Sequence, residues 1–204
     1  MIKANNSWIS SALEASHILL LARTAPFDPK APTAGLSLFY TPLDQKYVTI
    51  RPIHKMGGRA IDSNELFIED LPVPESDRLG AEGQGFKMVL QGMNAERCLL
   101  AGEAIGTGLA ALKRATHYAQ ERVVFSRPIG QNQGIAHPLA EAWMNLEAAK
   151  LLAYRAALMF DEGTENPTTI GAYCNSAKYL SAEAAFKACE RAVLTLGGMG
   201  YAQV

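Results

Sequence analysis

A dominant charge, a cysteine framework and a long apolar run are all missing from this 204-residue chain. Nineteen Lys and Arg face twenty Asp and Glu, a net charge of -1. That leaves no basic field for nucleic acid or an anionic membrane. Cysteines number three (Cys98, Cys174, Cys189), an odd count lying in helical patterns, so buried free thiols are expected rather than a disulfide framework. The longest apolar run, Ile18–Ala22, is far too short to span a bilayer, and Met1–Asn6 does not read as a signal peptide. The four histidines (His17, His54, His117, His137) form no metal-binding spacing. What is present is ordinary globular composition, 49% hydrophobic and 19% charged, enough to bury a core.

Two halves differ in texture. Residues 1–80 carry most of the prolines and several β-type runs: Ile18–Ala22, Leu36–Tyr40, Tyr47–Ile53 and Glu65–Ile68. Pro72 and Pro74 close the last of these, because proline cannot continue a sheet ladder. Residues 81–204 are rich in Ala, Leu and Glu, and read as three long helices. The first is expected over Gln84–Arg122, with Phe86, Val89, Met93 and Leu100 on one face. The second carries a seam of Ile135, Leu139, Ala142, Leu146, Ala149, Ala153, Ala156 and Phe160, with Pro138 expected to displace its start or kink it. The third starts after Pro167-Thr168-Thr169 and ends at Gly197-Gly198. The fold class is therefore α+β: a partial antiparallel, barrel-like β-domain over 1–80 and an antiparallel helical bundle over 81–204. Gly106-Thr107-Gly108-Leu109-Ala110-Ala111 fits a loose dinucleotide fingerprint but follows no strand, so Gly102, Gly106 and Gly108 read as helix-packing positions.

Glu96 shares the Phe86–Leu100 face, three turns into its helix. Partial burial there would raise a carboxyl pKa toward that of a general base. Trp8 offers a flat apolar wall and Ser10 a hydroxyl for a ring heteroatom. Arg122 supplies a planar fork of donors suited to phosphate. Read alone, each has a plainer alternative: an ion-paired Glu, a strand Trp, a helix-end Arg, a glycine helix cap.

Together the motifs resemble the acyl-CoA dehydrogenase family. They are Trp8-Ile9-Ser10, Met56-Gly57-Gly58-Arg59, Phe67-Ile68-Glu69-Asp70-Leu71-Pro72-Val73-Pro74, Gly83-Gln84-Gly85-Phe86, Arg122-(x)2-Phe125 with Gln133, and Gly197-Gly198-Met199-Gly200-Tyr201. Ser126 stands where that family usually has glycine. The resemblance implies FAD as cofactor, contacted by Trp8, Ser10, Arg122, Phe125, Gln133, Gly197, Gly198 and Gly200. Arg122 and Gln133 would act across a dimer interface. It implies an acyl-CoA substrate beside Asn94 and Arg97, and Glu96 as the base that removes the α-proton while the β-hydride passes to flavin N5. The family's other base position, a glutamate in a C-terminal loop, would lie beyond Val204. It also implies electron-transfer flavoprotein as acceptor, a homodimer or homotetramer, and a cytoplasmic or mitochondrial matrix setting. An acyl-CoA oxidase, a flavin monooxygenase-like relative, or a catalytically silent assembly subunit of the same fold are the alternatives. The chain is expected to be a piece lacking an N-terminal helical domain, the first β-strands and the last helices.

Overall fold

A computed structural model describes residues 1–202 and divides the chain into two compact units, Met1–Leu90 and Gln91–Val204. The first unit holds two antiparallel sheets. β1 (Ile2–Ser10), β5 (Ser63–Leu71) and β4 (Val48–Pro52) form one in the order β1-β5-β4. β2 (His17–Arg23), β3 (Leu36–Pro42) and β6 (Arg78–Leu79) form the other. Each expected strand run is present, with ends within three residues of those expected. β5 stops at Leu71, as Pro72 requires. β1 was not among the expected runs, because Asn5-Asn6-Ser7 has poor strand propensity. It forms by pairing Asn5 with Phe67 and Asn6 with Leu66 on a strand whose other face is core. That core draws Val48, Leu66, Ile68 and Leu71 from one sheet and Leu20, Ala22 and Phe39 from the other. No barrel closes: the described strands make separate sheets.

α1 (Gly85–Glu121) begins in the first unit and continues into the second. There it packs with α2 (Gln133–Glu162) and α3 (Pro167–Leu196), followed by the single turn α4 (Gly198–Tyr201). A two-residue hairpin, β7 (Val123–Val124) and β8 (Arg127–Pro128), joins α1 to α2. Asn166 caps α3 by accepting from Thr169 N–H at 3.0 Å, with Pro167 at the first helical position. Gly163 ends α2 in left-handed backbone (φ 60°).

Three expectations change. α2 starts at Gln133 although it contains Pro138, so the proline does not displace its start. At the far end of α2, Met159 is buried and Phe160 turns outward. On α1 the buried stripe is Asn94, Ala101, Ile105, Gly108, Leu112, Ala115 and Ala119. Met93 and Leu100 lie outside it. Close helix approach selects small side chains for the seam and leaves several large ones outside.

Gly108 is a point of close helix approach: a Cβ there would stand 2.8 Å from Leu146 Cδ2 and 3.1 Å from Ala185 Cα. Gly102 and Gly106, expected to serve packing too, have nothing within 4 Å and border an open groove.

Candidate functional site

In the first unit the candidates sit at the end of β1. Its register slips between Asn6, opposite Leu66, and Ile9, opposite Asn64, so three steps on β1 match two on β5. This bulge puts Trp8 into left-handed backbone (φ 64°) and leaves its indole 66% exposed. A bulky residue at positive φ costs about 1–2 kcal/mol, and nothing in that position repays it by burial. Ser10, opposite Ser63, is also exposed. Behind them Asn64, fully buried, donates from Nδ2 to the Ile9 carbonyl at 3.1 Å and also to Asp62. The Asn64 amide, with the Leu13 N–H at 3.4 Å, holds the Asp62 carboxyl below its ordinary value and braces this turn.

In the second unit the candidates fall at two ends of one bundle. Near the start of α1, Arg97 Nη1 donates to Asn94 Oδ1 at 3.0 Å. Asn94 is only 9% exposed, close to where Gly171 opens the first turns of α3. Glu96 is exposed, and among the described residues no cation pairs with it. The partial burial expected of Glu96 is absent because its face of α1 lies outside the seam.

At the other end the α1–α2 hairpin turns on Phe125 (φ 52°) and Ser126 (φ 63°), the two left-handed residues of a type I′ turn. Ser126 thus occupies a glycine conformation with a side chain. Phe125 is 97% exposed at the tip. Arg122 closes the hairpin through its backbone, accepting from Ile129 N–H at 2.9 Å, and its side chain is exposed. Gln133, also exposed, opens α2. α1 and α3 run the same way, since Asn94 lies near Gly171 while Ala115 and Ala119 share a cluster with Ala188 and Ala192. The end of α3 therefore belongs to the hairpin end of the bundle. There Gly197 (φ 58°) breaks α3, and a Cβ on Gly200 would stand 2.3 Å from the Val193 carbonyl oxygen. Gly198 has open space around it.

The family model described as Acyl-CoA dehydrogenase, C-terminal domain, matches residues 83–204. The chain belongs to the acyl-CoA dehydrogenase family. It is 34% identical over 200 residues to Acyl-CoA dehydrogenase FadE12 of Mycobacterium tuberculosis, covering 98% of this chain and 50% of that one. It is 35% identical over 202 residues to the bovine mitochondrial short-chain specific acyl-CoA dehydrogenase, covering 98% and 47%. Among solved structures, the glutaryl-coenzyme A dehydrogenase–glutaryl-CoA complex superposes with a TM-score of 0.88 at 33% identity, over 98% of this chain and 49% of that one. The chain spans about half the length of the curated relatives it matches.

Two residues at the hairpin and the start of α2 escaped sequence reasoning. Arg127 donates from Nη2 to Asn132 Oδ1, and Asn132 Nδ2 donates to the Ile129 carbonyl at 3.0 Å. An Asn just before a helix reads as an N-cap; here its side chain braces the hairpin instead and makes no cap bond. Among the described residues no helix is long and apolar enough to cross a membrane.

Proposed function

We propose that the native-length protein is an FAD-dependent acyl-CoA dehydrogenase that converts an acyl-CoA thioester to the 2-enoyl-CoA. The observation that carries this reading is a pair of aromatic side chains, Trp8 and Phe125, held outward on left-handed backbone. Each incurs conformational energy and buries little in this chain. Strain without burial points to a surface supplied by a ligand or another subunit. A flat ring system suits Trp8, Ser10 offers its hydroxyl to a ring edge, and Gly198 leaves room for close approach by phosphate or ribose. These features fit FAD, which when bound supplies the hydride acceptor.

The length of α1 supports a site shared between subunits. Glu96 and Arg122 are separated by most of α1, about 39 Å at 1.5 Å per residue. One bundle therefore carries two half-sites. Asn94, Glu96 and Arg97 serve the substrate at one end. Arg122, Phe125, Gln133 and Gly198 serve the cofactor of a neighbouring subunit at the other, in a homodimer or homotetramer. Arg97 is tethered by Asn94, which leaves the Glu96 carboxylate unneutralised and free to accept the α-proton. Electron-transfer flavoprotein is the proposed acceptor.

Anaerobic titration of the native-length protein with acyl-CoAs of graded chain length, followed by flavin absorbance, tests the proposal. Bleaching by one class of thioester supports it; a bound flavin that no acyl-CoA bleaches, or no flavin at all, defeats it. Glu96→Gln is expected to retain FAD and to slow its reduction about a thousandfold. Undiminished reduction would exclude Glu96 as the base. Reoxidation by dissolved oxygen alone, with no carrier, would assign the protein to the oxidases instead.

A further inference from the structure

We propose that Cys98 and Cys174 form a reversible oxidation site that closes to a disulfide joining α1 to α3. Their sulfurs stand 3.6 Å apart across the two helices, at a separation of 76 in the chain. A disulfide needs about 2.05 Å. Closure thus asks the sulfurs to approach by about 1.5 Å, within reach of small side-chain rotations on packed helices.

The two thiols have different surroundings. Cys174 is fully buried in a cluster with Ala101, Ile105, Ala156 and Ala177. Cys98 is partly exposed and borders an open groove of about 620 Å³ between α1 and α2, alongside Leu99, Gly102 and Tyr154. A small oxidant therefore meets Cys98 first, and Cys174 is placed to resolve the product. Among the described residues no third His, Cys, Asp or Glu completes a metal site here. Cys189 lies on α3 too, about 22 Å from Cys174 along the axis, so it cannot reach the same partner.

With a peroxide as oxidant the chemistry balances. Cys98 sulfur attacks one peroxide oxygen and releases the first water, leaving a sulfenic acid. Cys174 sulfur then attacks the Cys98 sulfur and expels the second water. Two thiols lose two protons and two electrons, and the peroxide is reduced to two waters. Burial, the Cys174 thiol and the Asp161 carboxylate of α2 together push the Cys98 thiol up to about 11. Lys150 and Tyr154 of α2 border the same groove, and the ammonium is occupied by Glu147 at 2.8 Å. Thiolate is therefore scarce at neutral pH, and closure should quicken as the pH rises from 7 toward 9.

The native-length protein is exposed to hydrogen peroxide, alkylated under denaturing conditions and mapped by mass spectrometry without reduction. The expected result is a linked peptide pair carrying Cys98 and Cys174, with Cys189 still alkylated and both thiols recovered by dithiothreitol. Cys189→Ser should keep the link and Cys98→Ser should lose it. The wild-type map decides the question even if a variant fails to fold. Over-oxidation of Cys98 with Cys174 still free, or a link through Cys189, would overturn the proposal. Neither readout depends on flavin or acyl-CoA, so its failure is distinct from failure of the proposed function.

Discussion

At the scale of single residues, Trp8 and Ser126 are two of the non-glycine positions held in left-handed backbone, and glycine would relieve both. Trp8→Gly should raise thermal stability, by up to about 1 kcal/mol, because the left-handed strain disappears and only a mostly exposed indole is lost. The same variant should bind FAD more weakly, measured by flavin retention after gel filtration. Ser126→Gly should also stabilise, by about 1 kcal/mol, seen as a higher Tm with flavin content unchanged. If Trp8→Gly lowered Tm instead, the indole would be part of the core and not of a site. The identity of these side chains was legible in the sequence; their strain was not. Positive φ arises at Trp8 from a register slip against β5, and that depends on residues some 60 positions away.

Among the elements, α1 shows how packing selects between similar glycines. Gly106→Ala should stabilise by about 1 kcal/mol, since alanine is the better helix former and nothing lies within 4 Å. Gly108→Val should destabilise by about 2 kcal/mol or more, because its branches would drive into Leu146 and Ala185. Paired denaturant melts of the two variants check both signs at once. Equal effects would mean that α1 does not meet α2 and α3 as described. The ends of all three long helices and the start of α3 could be read from the chain, because caps and turns are local: Pro167 after Asn166, Gly163, Gly197. The buried face of α1 could not. Two apolar stripes run along it, and the alanine-rich stripe wins because the helices approach closely there.

For the whole molecule, the length of α1 makes a prediction that no single site contains. Glu96→Gln and Arg122→Ala subunits, each impaired alone, should restore activity when co-expressed. In a mixed dimer one site then combines an intact Glu96 from one subunit with an intact Arg122 from the other, about a quarter of all sites for random pairing. A site built within one chain would give no recovery in acyl-CoA-dependent flavin reduction. Sequence order alone determined the α+β class, four of the strands, the long-helix spans and the family to which the motifs belong, because each rests on neighbours a few positions apart. Tertiary structure decided what those motifs face: an unpaired Glu96 beside a tethered Arg97, two strained aromatics, two facing thiols, and candidate groups at opposite ends of a bundle. Those outcomes depend on which side of a helix is buried and where strands slip in register. Both are settled by contacts between residues far apart in the chain.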